Sequence, residues 1–278
     1  MGLIVITGAS GRLGGRVARK LDGPKRLLVR DRARAPDVAG AEVAVAEYRD
    51  GEAVWRALEG AETVFMVSAA ETPDRVAEHR SFVDAAARAG VRRLVYTSFA
   101  GAAPEAAFTL ARDHWATEEH IRRSGLGFTF LRDNLYADFL PSMVGADGVI
   151  RGPAGDGRAA VVAQDDIVDA AVAVLRDPAA HDGRTYDLTG PVALSLAEVA
   201  ATISSVTGRE VRYQAESLSE AYASRASYGA PQWQLDAWVS TYTAMAKGEL
   251  AAVSTAVPEL TGHPATTLAE LLSRGAAG

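Results

Sequence analysis

Three glycines near the beginning of the chain have a spacing that could hold a phosphate group. Gly8, Gly11 and Gly14 recur every third residue, after an apolar run at 3–6 and at the start of a helical pattern. In such a turn the first glycine allows a sharp bend, the second lets the backbone approach a pyrophosphate, and the third lets the helix pack on the strand. The helix adds unpaired N–H groups and the positive end of its dipole. The pattern predicts a dinucleotide-binding turn, with a purely structural turn as the alternative.

The end of the second predicted strand bears on which dinucleotide would bind. An acid there would bond a ribose 2′-hydroxyl, whereas an arginine accommodates a 2′-phosphate. Arg30 closes the strand and Asp31 follows it, so a shift of one residue in register would exchange the two roles. Because a guanidinium fits phosphate geometry, we expect NADP(H) with Arg30 on the 2′-phosphate. The other cofactor contacts expected in the turn are Ser10, Arg12 and Leu13.

Strands alternate with helices through the first 134 residues, which predicts a parallel sheet with right-handed crossovers. The predicted fold is α/β, a Rossmann-type doubly wound parallel sheet with a smaller α/β C-terminal substrate domain. Ligands on such a sheet bind at the carboxyl ends of the strands. Small or polar residues lie at these ends, and we expect the nicotinamide to be bordered by Ser68, Ala69 and Ser98.

The second half of the chain is less regular. We predict residues 1–134 as the NAD(P)-binding core and 135–278 mainly as the substrate-binding domain, with about 160–190 returning to the core. Aromatic residues cluster from 218 to 247 and include Trp233. They could line a pocket for a flat substrate or pack as a helical cap on the sheet, and the sequence leaves these two interpretations equal.

The composition excludes several classes of protein. The chain has 278 residues, a net charge of −6 and no cysteine. There is no basic excess to neutralise nucleic-acid phosphates, and no disulfide or thiolate metal site can form. No apolar run approaches the ~20 residues of a membrane span, and no leader pattern or HExxH metal motif is present. We therefore expect a cytoplasmic protein without membrane, nucleic-acid or metal partners.

The chain resembles the NmrA-like group of atypical short-chain dehydrogenases/reductases, and within it the NADPH-dependent type-2 quinone oxidoreductases. The resemblance covers nearly the whole chain and implies an NADP-binding Rossmann domain, a smaller substrate domain and a cleft between them. After the glycine turn at 7–14, the segments that carry it are 28–30, 94–98, Thr117-Glu118, 131–134 with Tyr136, and 246–250.

One departure from the wider superfamily is informative. Most members place a tyrosine and, four residues later, a lysine on the helix after the fifth strand, where this chain has Leu110 and His114. A missing general acid costs about 10²–10⁴ in rate. Reduction of a simple ketone would suffer from that loss, whereas reduction of a quinone forms an aromatic phenolate that needs little help with its proton.

The resemblance and this departure fit an enzyme that transfers hydride directly from NADPH to a quinone or similar conjugated acceptor. They fit equally a non-catalytic NADP(H)-binding sensor of the NmrA type, and less well a reductase or isomerase that uses Tyr136 as its acid. We expect His114 and Asn134 to orient the nicotinamide or the acceptor. His114 could also donate a proton, and the alternative is a helix residue that satisfies a nearby carbonyl. Tyr136 and Trp233 are the expected acceptor contacts, and a homodimer is left open.

Overall fold

A seven-stranded sheet carries the first of two structural units in the computed structural model, which describes residues 2–276. Its spatial order is β3-β2-β1-β4-β5-β6-β9. Within the described residues the strands are β1 (Leu3–Ile6), β2 (Lys25–Val29), β3 (Glu42–Val45), β4 (Ala61–Met66), β5 (Arg93–Phe99), β6 (Gly127–Asp133), β7 (Val149–Gly152), β8 (Arg158–Ala159), β9 (Arg184–Leu188), β10 (Leu194–Ser195) and β11 (Arg212–Ala215).

Ten α-helices lie within residues 2–276. They are α1 (Arg12–Lys20), α2 (Gly51–Leu58), α3 (Arg75–Arg88), α4 (Thr109–Arg123), α5 (Gln164–Arg176), α6 (Leu196–Thr207), α7 (Leu218–Arg225), α8 (Gln232–Ala246), α9 (Ala256–Thr261) and α10 (Leu268–Ala276). Short 3₁₀ segments occur at Arg32–Arg34, Ala137–Met143 and Ala226–Tyr228. None of the helices in this part of the chain is long and apolar enough to cross a membrane.

The sheet confirms the predicted Rossmann-type architecture. Strand β1 pairs in parallel with β2 and β4, and the pairs β2–β3 and β4–β5 are also parallel. The strand order reverses between β1 and β4, and ligands of such sheets bind beyond the carboxyl ends of the strands at this switch point. The β1 and β4 ends therefore position the candidate site.

The two units each have an apolar core. The first contains Met1–Ser98, Asp113–Arg132 and Ile167–Tyr186, and the second contains Phe99–Arg112, Asp133–Asp166 and Asp187–Gly278. In the first unit, Val64, Phe82 and Phe130 are fully buried in one cluster. Each such side chain contributes about 1.5–3 kcal/mol through burial, which explains why apolar runs form the central strands.

The second unit is held by small two-stranded pairings and helices. Strands β7 and β11 pair in parallel, and β8 and β10 pair antiparallel. Helix α6 begins with a capping box in which the Ser195 hydroxyl accepts from the Glu198 N–H while the Glu198 carboxylate accepts from the Ser195 N–H. This confirms the helix start that the spacing of these two residues predicts.

Candidate functional site

The turn between β1 and α1 has the backbone geometry that its glycines predict. Gly8 has a φ of +59°, in the left-handed region that favours glycine. A Cβ added at Gly14 would lie 2.5 Å from the Thr7 carbonyl oxygen and 2.6 Å from that of Gly8. At Gly11 a Cβ would meet the Gly8 oxygen at 3.2 Å and no other heavy atom of the described chain within 4 Å. Glycine thus permits close packing at position 14 and leaves open space beside position 11.

The N-terminus of α1 fits a phosphate group. Among the residues that the structure describes, no side chain caps this end, and the first turn contains no acidic residue. Ser10, Gly11 and Arg12 are exposed, whereas Leu13 is buried in the first turn of the helix. Unpaired N–H groups, a positive dipole end and a nearby guanidinium together favour an anion at this place.

Arg30 directly follows Val29, the last residue of β2, and is exposed. Asp31 caps the next 3₁₀ segment, because its carboxylate accepts the Ala33 N–H at 2.9 Å. Arg32 Nη2 donates to the Val43 oxygen at 2.9 Å. Asp31, the alternative ligand for the ribose, is thus already engaged in capping the 3₁₀ segment.

Side chains of β5 and α3 form hydrogen bonds with the backbone of the loop that follows β4. The Ser68 N–H donates to Thr97 Oγ1 at 2.8 Å. The Ala69 N–H donates to His79 Nε2 at 2.8 Å, and the Ala69 carbonyl oxygen accepts from Arg75 Nε at 3.0 Å. Both backbone polar groups of Ala69 are therefore bound by residues of α3.

His114 lies inside the same unit and is almost completely buried. Its Nε2 lies 3.0 Å from Arg75 Nη2, and its Nδ1 lies 2.9 Å from the Tyr96 hydroxyl. Burial, and then the positive charge of Arg75, lower the pKa of His114 well below its ordinary value. The imidazole is therefore neutral near pH 7, and both of its nitrogens are engaged in the interior.

Ser98, at the end of β5, is buried and turned towards α4. Its hydroxyl donates to Glu118 Oε1 at 2.6 Å. Glu118 also accepts two hydrogen bonds from Arg132, at 2.8 Å from Nε and 2.7 Å from Nη2. A bidentate arginine satisfies a buried carboxylate well, so this group fixes the Ser98 side chain.

Three candidates lie in the second unit. Asn134 is buried, donates from Nδ2 to the Leu250 oxygen at 3.0 Å and accepts from the Leu135 N–H at 2.7 Å. The Tyr136 hydroxyl donates to Asp133 Oδ2 at 3.0 Å, and burial raises the pKa of Asp133 to about 8. Trp233 is half-buried near the start of α8.

The structure thus groups the predicted cofactor residues and His114 in the first unit, and Asn134, Tyr136 and Trp233 in the second. It also reveals residues that the sequence analysis missed. Arg75 and His79 are four residues apart on α3 and lie on one helical face. Their i,i+4 spacing was the available signal.

The chain matches a known protein family and is similar to two characterised reductases. Residues 1–233 match the NmrA-like family model. The chain is 35% identical to quinone oxidoreductase 2 of Escherichia coli (strain K12) over 281 residues, which cover 98% of each chain. It is 33% identical to the NAD(P)H azoreductase of Xenophilus azovorans over 283 residues, covering 99% of this chain and 98% of that one.

A solved structure agrees over the same length. The crystal structure of the E. coli NADPH-dependent quinone oxidoreductase in complex with NADPH matches with a TM-score of 0.89 and 34% identity. The match covers 98% of this chain and 99% of that one. The resemblance stated from the sequence is confirmed: this chain belongs to the NmrA-like family.

Proposed function

We propose that this chain is an NADPH-dependent oxidoreductase that transfers hydride directly to a quinone or a similar conjugated acceptor. One observation carries the proposal. The uncapped phosphate cradle at the start of α1 lies in a chain that matches, over nearly its whole length, a quinone oxidoreductase whose structure was determined with NADPH.

The cofactor contacts follow from the first unit. The N–H groups at the start of α1, with Ser10 and Arg12, would hold the pyrophosphate, because Gly11 leaves room for its close approach. The exposed guanidinium of Arg30 would bind the 2′-phosphate, which distinguishes NADPH from NADH. Ser68, Ala69 and Ser98 would border the nicotinamide at the carboxyl ends of β4 and β5.

Bound NADPH supplies the hydride, so the task of the chain is to hold and orient. The family resemblance puts Leu110 and His114 of α4 at the positions where other members carry the tyrosine and lysine of proton transfer. The interior bonds of His114 and its lowered pKa favour an orienting role over proton donation. A quinone suits such a site because the phenolate formed from it requires little proton assistance.

The acceptor contacts proposed in the second unit are Tyr136 and Trp233. An aromatic ring offers a flat apolar face to a planar acceptor. Asn134, whose amide holds the Leu250 segment, would orient this region by keeping the end of β6 in place. We further propose a cytoplasmic location and no nucleic-acid partner, in keeping with the net charge of −6, and sedimentation would distinguish a homodimer from a monomer.

The test is NADPH oxidation by the purified protein with a panel of simple quinones and an azo dye, run beside NADH. The expected result is saturable turnover that prefers NADPH. Tight NADPH binding without turnover of any acceptor would overturn the enzymatic proposal and favour a non-catalytic NADP(H) sensor.

A further inference from the structure

Two buried polar side chains form hydrogen bonds with the backbone of the exposed loop after β4. Arg75 and His79 are both buried, with 4% and 0% of their surface exposed, yet the loop residue Ala70 lies at the surface. The two side chains bind the Ala69 carbonyl oxygen and the Ala69 N–H, respectively. Because these two groups belong to the successive peptides that flank the Ala69 Cα, both peptide planes are fixed.

The hydrogen bonds also define the tautomer of His79. Its Nε2 accepts the Ala69 N–H, so the proton of the neutral ring is on Nδ1. Nδ1 lies 2.9 Å from Thr117 Oγ1, which itself donates to the Asp113 carbonyl oxygen at 2.8 Å. Thr117 Oγ1 therefore accepts a hydrogen bond from the His79 Nδ1–H, and the Nε2 lone pair of His79 faces the loop.

Arg75 is oriented in the same way. An arginine only donates, so His114 Nε2 accepts from Nη2 and the His114 proton is on Nδ1, directed to Tyr96. The Nη1 group of Arg75 faces the Asp113 carboxylate at 3.7 Å. The tautomers of both histidines and the plane of the guanidinium are thus determined by one network of α3, α4 and β5.

The geometry of the two peptides also determines which backbone groups of the loop point away from α3. In a trans peptide the C=O and N–H point in opposite directions, and no cis peptide occurs among the described residues. When the Ala69 N–H points to His79, the Ser68 carbonyl points away from α3. When the Ala69 carbonyl points to Arg75, the Ala70 N–H points away as well. The loop then offers one acceptor and one donor on its outer side.

We propose that Arg75 and His79 are positioning residues for hydride transfer, because they fix this outer acceptor and donor for the nicotinamide riboside of NADPH. The inference rests on the proposed function. Buried apolar residues would fill the same volume without the desolvation cost of a guanidinium. The two polar side chains are explained if hydride transfer requires one orientation of the exposed loop backbone, since the reaction is sensitive to small errors in position.

The experiment compares NADPH with adenosine 2′,5′-bisphosphate, which has the adenine and the 2′-phosphate but no nicotinamide riboside. His79→Leu should weaken NADPH binding about tenfold, as loss of one positioning contact would, and leave the bisphosphate within about twofold. It should also lower the stereospecificity of deuterium transfer from NADPH labelled at one face of C4. His79→Gln places an acceptor near the Nε2 position and should restore most of both properties.

Two further variants complete the test. His120→Gln is the matched control, because His120 of α4 bonds the Asp84 carboxylate of α3 at an exposed position, so this variant should behave as the unaltered protein. Arg75→Lys keeps the charge and should reproduce the NADPH-specific loss if His79→Leu does not fold. Parallel losses for both ligands, or unchanged NADPH affinity and stereospecificity, would overturn the positioning role. Failure of the unaltered protein to bind NADPH would instead refute the proposed function.

Discussion

Ser98 and Glu118 are joined by a 2.6 Å hydrogen bond from the serine hydroxyl to a carboxylate that has no exposed surface. The bond links the end of β5 to the middle of α4, and Arg132 at the end of β6 and Arg122 of α4 supply the compensating charge. Three elements of the first unit therefore meet at one carboxylate.

Replacement of this carboxylate should be strongly destabilising. Glu118→Gln leaves the part-buried guanidinium of Arg132 with a neutral partner, and we expect a loss of about 3 kcal/mol in the free energy of unfolding. Glu119→Gln is the matched control, since Glu119 pairs with Arg122 and Arg123 at the surface, and should cost less than about 1 kcal/mol. Urea unfolding measures both, and equal losses would contradict the importance of the buried group.

Arg30 should discriminate between the two cofactors. Arg30→Ala removes a charge-assisted contact to the 2′-phosphate, so we expect NADPH affinity to fall about 10–100-fold while NADH affinity changes little. Arg34→Ala, an exposed arginine of the same loop, serves as the control. Titration calorimetry with both cofactors decides the matter, because equal losses for NADPH and NADH would refute the assignment.

Gly11 and Gly14 should respond differently to a side chain. Gly11→Val fills the space beside the phosphate cradle but meets only one backbone atom of the described chain at 3.2 Å, so it should abolish NADPH binding with little change in the melting temperature. Gly14→Val places atoms against the Thr7 and Gly8 oxygens and should destabilise the fold itself. Thermal unfolding beside a binding assay separates the two effects, and retained NADPH binding in Gly11→Val would count against the cradle.

Asp133 makes stability fall with rising pH. Its folded pKa of about 8 exceeds its ordinary value of 3.8, so between these values the unfolded chain has lost a proton that the folded chain keeps. Stabilisation is complete below pH 3.8, decreases as pH rises, and levels off above about 8. Asp133→Asn cannot ionise, so its stability relative to the unaltered protein should increase from pH 5 to pH 8. A constant difference in urea unfolding over this range would show that Asp133 is ionised in the fold.

Unlike Asp133, His79 makes the stability of the fold decrease as the pH is lowered. Burial lowers the pKa of His79 well below 6.5, so the unfolded chain binds a proton first as the solution is acidified. The stabilisation is complete above pH 6.5 and is lost as pH falls towards the folded pKa. His79→Gln should therefore reduce the slope of unfolding free energy against pH below 6.5 by up to about 1.4 kcal/mol per pH unit. An unchanged slope, with His120→Gln as reference, would contradict the buried neutral form.

The fold was accessible from the sequence because its signals are local. Apolar strand runs, alternating helices and a turn whose left-handed residue at position 8 favours glycine are visible within a few residues. The right-handed crossover rule then restricts the strand order. The phosphate cradle at Gly11 and Gly14 follows from the same short stretch.

The side-chain partners were not accessible because they depend on how distant segments pack. Asn134 binds the Leu250 oxygen 116 residues further along the chain, and no spacing rule connects these positions. Thr117 becomes a partner of His79 only when α3 and α4 lie side by side. His114 was expected to orient the nicotinamide or the acceptor, with proton donation as a further option, whereas the partners of its two nitrogens depend on the packing of α4 against α3 and β5.

The tautomer-fixed histidines also provide a spectroscopic probe. An imidazole N–H that is buried and hydrogen-bonded exchanges slowly with water, so the Nδ1 protons of His79 and His114 should give separate downfield resonances in a proton NMR spectrum. The disappearance of the His79 signal would report the opening of the contact between α3 and α4, and that of the His114 signal the opening of the contact between α4 and β5. Local motion beneath the loop after β4 could then be followed without labels and before any loss of the global fold.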